Sequence, residues 1–363
     1  MSRAVRVRQG DLVPRFHQLT VAAVDRICDD AAAVQFEVPA QLAEQYQFRP
    51  GQSLTVRRIV DGRDERRSYS ICAPAGSPPR IGVREVADGV MSGWLVRQVR
   101  PGDVVDVQPP SGSFTPDVES GGEHVLIAAG SGITPMLSIA SSLLANPASR
   151  VTLLYGNRRA DSVMFADEVA DLKDAHPTRL QLVHVLSREP QEVELFNGRL
   201  DAAKLRELLP VTCRVGGVDH WWLCGPYGMV TDAVEVLTDL DVARERIHRE
   251  LFYVEDVPPE QVQHVDAALD GAASEVTVVL DGRTTTTTVP RDTPILDGSQ
   301  RVRPDLPFAC KGGVCGTCRA KLVVGDVHMR RNFALEKSEL DEGFVLTCQS
   351  LPVTDEVTVD FDT

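Results

Sequence analysis

The sequence predicts a multi-domain protein with three domains in series: an antiparallel β-barrel, a parallel α/β sheet and an α+β domain. Short β-rich runs separated by Gly and Pro turns fill the first third of the chain, as in small barrels. Apolar runs followed by helical or polar sequence come next, which is the alternation of a parallel sheet. Four of the eight cysteines then fall within residues 310–348. A chain of 363 residues also exceeds what one hydrophobic core normally supports.

The charge balance and the hydropathy pattern argue against two classes of partner. The chain has 38 Lys and Arg against 52 Asp and Glu, a net charge of −14, whereas nucleic-acid binding needs clustered basic residues. No apolar run resembles a signal peptide or reaches the roughly 18 residues that span a bilayer. We therefore expect a cytoplasmic protein that binds neither nucleic acid nor membrane. In that reducing compartment, eight cysteines indicate metal or redox chemistry.

The barrel is predicted over residues 14–117 and carries two short motifs. They are Arg67-Ser68-Tyr69-Ser70 and, further along, Gly89-Val90-Met91-Ser92. An aromatic ring and an arginine suit a flavin nucleotide, and a helix that starts at a glycine offers its amides to phosphates. Each motif alone also has an ordinary interpretation, in which Tyr69 is a cross-strand aromatic and Arg67 a solvated charge.

The α/β domain is predicted over residues 118–253 and has two distinctive glycine turns. Gly130-Ser131-Gly132-Ile133-Thr134-Pro135 follows the apolar run HVLIAA and opens a helix, but it is not the GxGxxG fingerprint of Rossmann domains. Cys224-Gly225-Pro226 follows the apolar run HWWL. Turns that merely join a strand to a helix are the alternative interpretation.

Residues 254–273 are predicted to be a linker, because they are rich in Pro, Ala and polar residues and lack a sustained apolar period. The α+β domain is predicted over residues 274–363. It begins with period-two alternation on both sides of Asp281-Gly282, which is a strong hairpin signal.

The C-terminal cysteines have the spacing of a plant-type [2Fe–2S] site. Cys310, Cys315 and Cys318 lie in one short loop, and Cys348 is remote. Glycines within the loop let the backbone approach the inorganic sulfides. A zinc site is the alternative, but zinc ribbons favour two paired knuckles and not three ligands crowded together.

These motifs, taken in order, resemble the ferredoxin-NADP reductase family fused to a ferredoxin domain of the β-grasp fold. The resemblance implies that Tyr69 stacks on the flavin ring of FAD, that Arg67 neutralises the pyrophosphate, and that the helix start at Gly89 binds the same phosphates. It also implies that the GxGxTP and CGP turns bind the nicotinamide. The implied cofactor-binding residues of these motifs are Arg67, Ser68, Tyr69, Ser70, Gly89, Val90, Met91, Ser92, Gly130, Gly132, Thr134, Pro135, Cys224, Gly225 and Pro226.

The resemblance further implies a nicotinamide–flavin junction formed by Ser70, Cys224 and Glu250, with Phe252 covering the flavin face. Family members that use NADPH place a serine and an arginine against the 2′-phosphate. Ser187 and Arg188 occupy that place, and Arg158 adds charge nearby. We therefore expect NADPH, with NADH as the alternative, in which case the same residues lie on an ordinary surface.

The order of the three domains resembles the reductase components of bacterial multicomponent oxygenases. Such a protein is an NAD(P)H-dependent oxidoreductase that passes electrons through FAD and a [2Fe–2S] cluster to an oxygenase component of the di-iron or Rieske type. The tail from Asn332 to Glu336, and GFVLTCQSLPVTDEVTVDFD beyond it, favours the reductases of phenylacetyl-CoA epoxidases in phenylacetate degradation. Reductases of 3-ketosteroid 9α-hydroxylases or of other aromatic-ring oxygenases are the alternative. A non-enzymatic iron–sulfur carrier is a third interpretation.

Overall fold

The computed structural model describes residues 16–252, 272–335 and 337–363. These residues fall into two compact units: unit one extends to residue 252, and unit two begins at residue 272. The predicted linker, residues 254–273, lies outside the described residues except for its last two positions. Among the described residues, no helix combines the length and the apolar character needed to span a membrane.

The first part of unit one is a six-stranded antiparallel barrel with strand order β4-β3-β6-β1-β2-β5. An isolated bridge between Ile71 and Ile81 joins the two edge strands and closes the sheet. Leu19, Phe36 and Leu54 are fully buried inside it, as period-two alternation requires. Its elements are β1 (His17–Cys28), β2 (Ala31–Glu37), β3 (Ser53–Val60), β4 (Arg63–Ser70), β5 (Arg80–Arg84), α1 (Val90–Arg97) and β6 (Val104–Val107).

The second part of unit one is a five-stranded parallel sheet with order β11-β10-β7-β8-β9. Helices follow the strands, as right-handed crossovers between parallel strands require. All the strands end at the same edge of the sheet, where α/β proteins bind their ligands. The elements are β7 (Gly122–Ala129), α2 (Ile133–Ala145), β8 (Ser149–Asn157), α3 (Ala166–Ala175), β9 (Leu180–Leu186), α4 (Ala202–Thr212), β10 (His220–Gly225), α5 (Tyr227–Asp239) and β11 (Ile247–Leu251).

The barrel and the parallel sheet pack directly against each other. The Ser138 hydroxyl on α2 donates a 2.6 Å hydrogen bond to the carbonyl oxygen of Ala73, which follows β4. Arg80 on β5 makes two 2.9 Å hydrogen bonds to the carboxylate of Glu168 on α3. A side chain at Gly82 would collide with the methyl group of Thr134. These contacts fix the carboxyl edge of the sheet beside strand β4 of the barrel.

The second unit is a mixed sheet with order β13-β12-β18-β14-β16, in which only β12 and β18 pair in parallel. The predicted hairpin at Asp281-Gly282 is confirmed, and both residues have the positive φ of a tight turn, 55° and 67°. The elements are β12 (Ala273–Leu280), β13 (Arg283–Pro290), α6 (Ile295–Ser299), β14 (Arg319–Val324), β15 (Val327–Met329), α7 (Lys337–Asp341), β16 (Phe344–Leu346), β17 (Ser350–Pro352) and β18 (Glu356–Asp360). A small two-stranded sheet pairs β15 with β17.

Candidate active site and iron–sulfur site

Strand β4 carries the first predicted flavin motif along the edge of the barrel. Tyr69 is partly buried, and burial raises the pKa of its phenol, so the ring is neutral at physiological pH. The Ser68 hydroxyl lies 3.2 Å from the Thr55 hydroxyl on β3. Arg67 is 40% exposed and makes a 3.3 Å ion pair with Glu65. Its guanidinium therefore stays accessible to an anionic ligand.

The second flavin motif begins helix α1. A Cβ at Gly89 would collide with the Ser92 hydroxyl, so this N-cap position requires glycine. The Ser92 oxygen accepts a 3.1 Å hydrogen bond from the amide of Val86 and donates to the carbonyl of Gly89 at 3.3 Å. Met91 is buried and Val90 is half exposed. Ser92 thus shapes the turn, and the first-turn amides are the groups suited to phosphate.

The two glycine turns predicted for the nicotinamide lie against each other. A Cβ at Gly132 would overlap the carbonyl oxygen of Cys224, so the GSG turn requires glycine there. Gly130 has a φ of +54°. The Thr134 hydroxyl donates a 2.9 Å hydrogen bond to the carbonyl of Ser131 and holds the start of α2. The fold therefore brings residues 130–135 and 224–226 together at the carboxyl edge of the sheet.

Ser70, Glu250 and Cys224 meet at the junction of barrel and sheet. The Ser70 hydroxyl donates a 3.3 Å hydrogen bond to Oε2 of Glu250. Glu250 on β11 is the register partner of Cys224 on β10. Burial raises the pKa of the Glu250 carboxyl to about 7, although the Ser70 hydrogen bond opposes that shift. Burial, and next the Glu250 carboxylate, raise the pKa of the Cys224 thiol.

Phe252, directly after β11, is 36% exposed, whereas the preceding Leu251 is buried. It lies two residues beyond Glu250, at the end of the described part of unit one. An aromatic ring with this much free surface, two residues beyond the partly buried Glu250, is available to cover a bound ligand.

The three residues predicted to bind the 2′-phosphate also lie at the carboxyl edge of the sheet. The backbone amide of Arg188 donates a 2.8 Å hydrogen bond to the carbonyl of Arg158, so the ends of β8 and β9 run side by side. Both arginines are exposed, and Ser187 is partly buried. Among the described residues, neither guanidinium has an acidic partner. Arginine and serine at neighbouring strand ends are residue types that bind phosphate, so the residues present suit that group.

Asn157 was missed by the sequence reasoning. It ends β8, is only 8% exposed, and neither atom of its side-chain amide has a hydrogen-bond partner among the described residues. It lies two positions after Tyr155, on the same face of the strand. The amide lies near enough to the Tyr155 hydroxyl to oppose the rise that burial causes in the Tyr155 pKa, but the two do not reach hydrogen-bond geometry, and the hydroxyl is directed to the carbonyls of Gly130 and Met164, at 3.1 and 3.2 Å. A buried amide without partners is costly, which marks this side chain as a candidate ligand group.

The cysteine loop of the second unit curls around the Cys310 sulfur. The amides of Gly312, Val314 and Cys315 approach that sulfur at 3.3, 3.4 and 3.4 Å. Positive φ values at three positions turn the backbone inward, and these are Lys311 (51°), Gly313 (78°) and Gly316 (67°). Convergent amides of this kind stabilise thiolates and suit an anionic cluster.

The four thiols approach one another in pairs. A hydrogen bond from Cys315 and those from the loop amides lower the Cys310 pKa, against the effect of burial. Cys318 hydrogen-bonds to Cys348, and this contact and burial raise the Cys348 pKa. Among the described residues, no three His, Cys, Asp or Glu side chains converge as ligands of a single ion. Two thiolates for each iron is the ligand arrangement of a [2Fe–2S] cluster, so the residues present fit that group.

Comparison with known families matches all three parts of the chain. The oxidoreductase FAD-binding domain family matches residues 18–115, the oxidoreductase NAD-binding domain family matches residues 126–235, and the 2Fe-2S iron–sulfur cluster binding domain family matches residues 278–353. The chain is also 42% identical, over 96% of its length and 98% of the relative's, to a subunit of the 1,2-phenylacetyl-CoA epoxidase of Escherichia coli. The chain belongs to the reductase components of oxygenases.

This reductase is also similar to two further proteins. It is 35% identical to the ferredoxin reductase component of the Mycobacterium tuberculosis 3-ketosteroid-9-alpha-monooxygenase, over 95% of this chain and 96% of the relative. The solved structure of phthalate dioxygenase reductase is similar in fold, with a TM-score of 0.59 at 23% identity over 95% of this chain and 98% of that chain.

These findings confirm the predicted fold, the oxidoreductase class, and the cofactor set of FAD, a nicotinamide nucleotide and a [2Fe–2S] cluster. They decide between the cluster and zinc in favour of the cluster. The roles of individual residues, the preference for NADPH and the type of oxygenase stay predictions.

Proposed function

We propose that this reductase takes hydride from NADPH beside Ser70, Cys224 and Glu250 and delivers single electrons to the di-iron oxygenase of a phenylacetyl-CoA epoxidase. One observation carries the first half of the proposal. The Ser70–Glu250 hydrogen bond connects the barrel to the sheet near the carboxyl end of β10, where Cys224 lies beside Glu250. A flavin on the barrel and a nicotinamide on the sheet would therefore meet beside these three residues.

We assign the flavin to the edge formed by β4 and the start of α1. Tyr69 offers a neutral ring for stacking, Arg67 an accessible charge, and the amides after Gly89 a site for the pyrophosphate. A dinucleotide suits this edge, because both the arginine and the helix start are available to its phosphates. Bound there, FAD supplies the conversion of a two-electron hydride into the single electrons that an iron–sulfur cluster accepts.

The residues at the junction orient the nucleotide and control protons. Cys224 is fully buried, and its raised pKa keeps the thiol neutral, so it places no charge at the proposed nicotinamide site. Glu250, with a pKa of about 7, holds a proton below neutral pH, and Ser70 stabilises the carboxylate above it. Phe252 covers the flavin face until the nicotinamide takes its place.

We assign the adenosine end of the nucleotide to the edge formed by β8 and β9. Arg158, Ser187 and Arg188 follow directly on these two strands, whose ends are joined by a backbone hydrogen bond, and we propose that their side chains bind a 2′-phosphate, which favours NADPH over NADH. Asn157 ends β8 directly before Arg158, and we propose that its side-chain amide, which has no hydrogen-bond partner among the described residues, supplies a donor and an acceptor to the nucleotide.

In the second unit we propose Cys310, Cys315, Cys318 and Cys348 as the four cluster ligands. The loop amides neutralise part of the charge of the thiolates. We also propose domain boundaries at residues 14–117, 118–253 and 274–363, with a linker over residues 254–273. Each family match falls inside one of these domains.

The identity of the partner rests on similarity. The Escherichia coli epoxidase subunit is 42% identical over nearly the whole chain, against 35% for the ketosteroid monooxygenase reductase. The test is turnover of two purified oxygenases with this reductase and NADPH. Epoxidation of phenylacetyl-CoA, without 9α-hydroxylation of a 3-ketosteroid, supports the proposal. Hydroxylation of the 3-ketosteroid without epoxidation of phenylacetyl-CoA would instead identify the ketosteroid monooxygenase as the partner.

A further inference from the structure

A buried glutamine joins the two separated parts of the cysteine site. Gln349 directly follows Cys348 and is 1% exposed. Its side-chain nitrogen Nε2 donates a 2.8 Å hydrogen bond to the carbonyl oxygen of Lys311, which directly follows Cys310. The side chain therefore bridges the first and the fourth cysteine segments, which lie far apart in sequence.

The Lys311 carbonyl, which Gln349 contacts, belongs to the same peptide unit as the Gly312 amide, which donates to the Cys310 sulfur. The Lys311–Gly312 peptide presents its C=O to Gln349 and its N–H to the Cys310 sulfur, 3.3 Å away. A peptide unit is planar, with its C=O and N–H on opposite sides, so fixing one group fixes the other. Lys311 has a φ of +51°, a region disfavoured for residues with a Cβ, so this orientation needs support.

The packing around Gln349 leaves it little freedom to move. A Cβ at Gly313 would lie 3.1 Å from Cγ of Gln349, so the glutamine chain packs directly against the loop backbone. Its second amide atom, Oε1, is buried without a partner among the described residues. An apolar side chain of the same length would remove that unpartnered atom, and on packing grounds alone it would be tolerated.

We propose that Gln349 is a positioning residue that raises the reduction potential of the [2Fe–2S] cluster through the Lys311–Gly312 peptide. Hydrogen bonds to cluster sulfurs favour the reduced state, because it carries the additional negative charge. A carbonyl that accepts a hydrogen bond polarises its peptide and strengthens donation by the N–H at the other side. Gln349 thus makes the cluster a better acceptor of electrons. This inference rests on the proposed set of four cysteine ligands.

The experiment compares Gln349→Met with the unaltered full-length holoprotein. Methionine keeps the length and removes the donor. The measurements are iron and sulfide content per chain and the midpoint potential of the cluster, titrated with EPR detection. We expect full cluster content and a lower potential, equivalent to a two- to tenfold smaller reduction constant, where tenfold corresponds to about 59 mV for one electron.

The matched control is Gln300→Leu. The Gln300 side chain accepts a 2.9 Å hydrogen bond from the ammonium of Lys311, so it touches the same residue without touching its peptide. We expect the potential of this variant to equal that of the unaltered protein. A second variant, Gln349→Glu, keeps the size of the side chain and places a carboxylate beside the Lys311 carbonyl. We expect it to lower the potential further than methionine does.

An unchanged potential in a fully loaded Gln349→Met variant would overturn the inference. Loss of the cluster from both Gln349 variants, with a normal Gln300→Leu protein, would also overturn it, because the side chain would then serve assembly alone. Absence of a cluster in the unaltered protein would instead contradict the proposed ligand set. The two failures are therefore distinguishable.

Discussion

The Ser70 hydroxyl and the Glu250 carboxylate, 180 positions apart, are joined by a 3.3 Å hydrogen bond between the barrel and the parallel sheet. Ser70 ends the strand that carries the flavin motif, and Glu250 lies beside Cys224 on the next strand of the sheet. Glu250 is partly buried, and the loss of hydration at this junction favours the neutral form of its carboxyl, whereas the Ser70 hydroxyl favours the charged form. This pair therefore sets the charge at the place where we propose that nicotinamide and flavin meet.

Replacing Glu250 should change how stability depends on pH. The folded pKa of about 7 lies above the unfolded value of about 4.3, so between these values the folded state binds more protons and stability falls as pH rises. Glu250→Gln removes this loss, which amounts to up to about 3 kcal/mol by pH 8. The measurement is the Tm from tryptophan fluorescence at pH 5 and pH 8. The Tm advantage of the variant should grow with pH, and a constant difference would contradict the raised pKa.

Arg188→Ala should weaken binding of NADPH but not of NADH. A charged hydrogen bond to a phosphate contributes about 1.5–3 kcal/mol, so KM for NADPH should rise by roughly tenfold or more. The control is Arg159→Ala, which removes a neighbouring arginine that already pairs with Asp161 at 3.4 Å. Steady-state kinetics with ferricyanide as acceptor measures KM for NADPH and KM for NADH. Equal effects on the two nucleotides would refute a 2′-phosphate site at Arg188.

Asn157→Leu should stabilise the protein while impairing its use of nucleotide. The buried amide has no partner among the described residues, so an apolar replacement should raise the free energy of unfolding by about 1 kcal/mol in the absence of nucleotide. KM for NADPH should rise several-fold, because the ligand loses a donor and an acceptor.

The control for this prediction is Asn197→Leu. The side-chain oxygen Oδ1 of Asn197 accepts a 2.7 Å hydrogen bond from the backbone amide of Gln191, so its loss should destabilise the fold. Thermal unfolding without nucleotide and steady-state kinetics give the two quantities. Destabilisation by Asn157→Leu with unchanged KM would assign Asn157 to packing and not to binding.

Cys318→Ser should leave electron transfer from NADPH to the flavin intact and abolish electron transfer from the flavin to the oxygenase. We expect loss of iron with retention of FAD, because the flavin residues belong to the other unit. NADPH-dependent reduction of ferricyanide should persist, and reduction of the oxygenase should fall below detection. Cys213→Ser is the control, since Cys213 is the C-cap residue of α4 and belongs to unit one. Full iron content in Cys318→Ser would exclude this ligand.

Local patterns account for much of what could be predicted from the sequence. The cysteine spacing and the Asp281-Gly282 turn depend on geometry within a few residues, so they can be interpreted without the fold. A second Asp-Gly pair, Asp61-Gly62, makes the same positive-φ turn between β3 and β4 and carried the same signal.

Other features depend on contacts that only the folded chain makes. The meeting of Ser70 with Glu250 requires barrel and sheet to pack as they do, through contacts such as Ser138 with Ala73. Resemblance to a family suggested that meeting, whereas hydrophobic periodicity alone does not. Asn157 and Gln349 belong to no motif, and their importance follows from a missing partner in one case and a bridging hydrogen bond in the other.

The most direct test of the electron path is an anaerobic titration of the full-length holoprotein with NADPH, followed by visible absorbance and EPR. We predict bleaching of the flavin bands together with the EPR signal of a reduced [2Fe–2S] cluster. Flavin bleaching with a cluster that remains oxidised, or no bleaching at all, would contradict the proposed path from NADPH through FAD to the cluster.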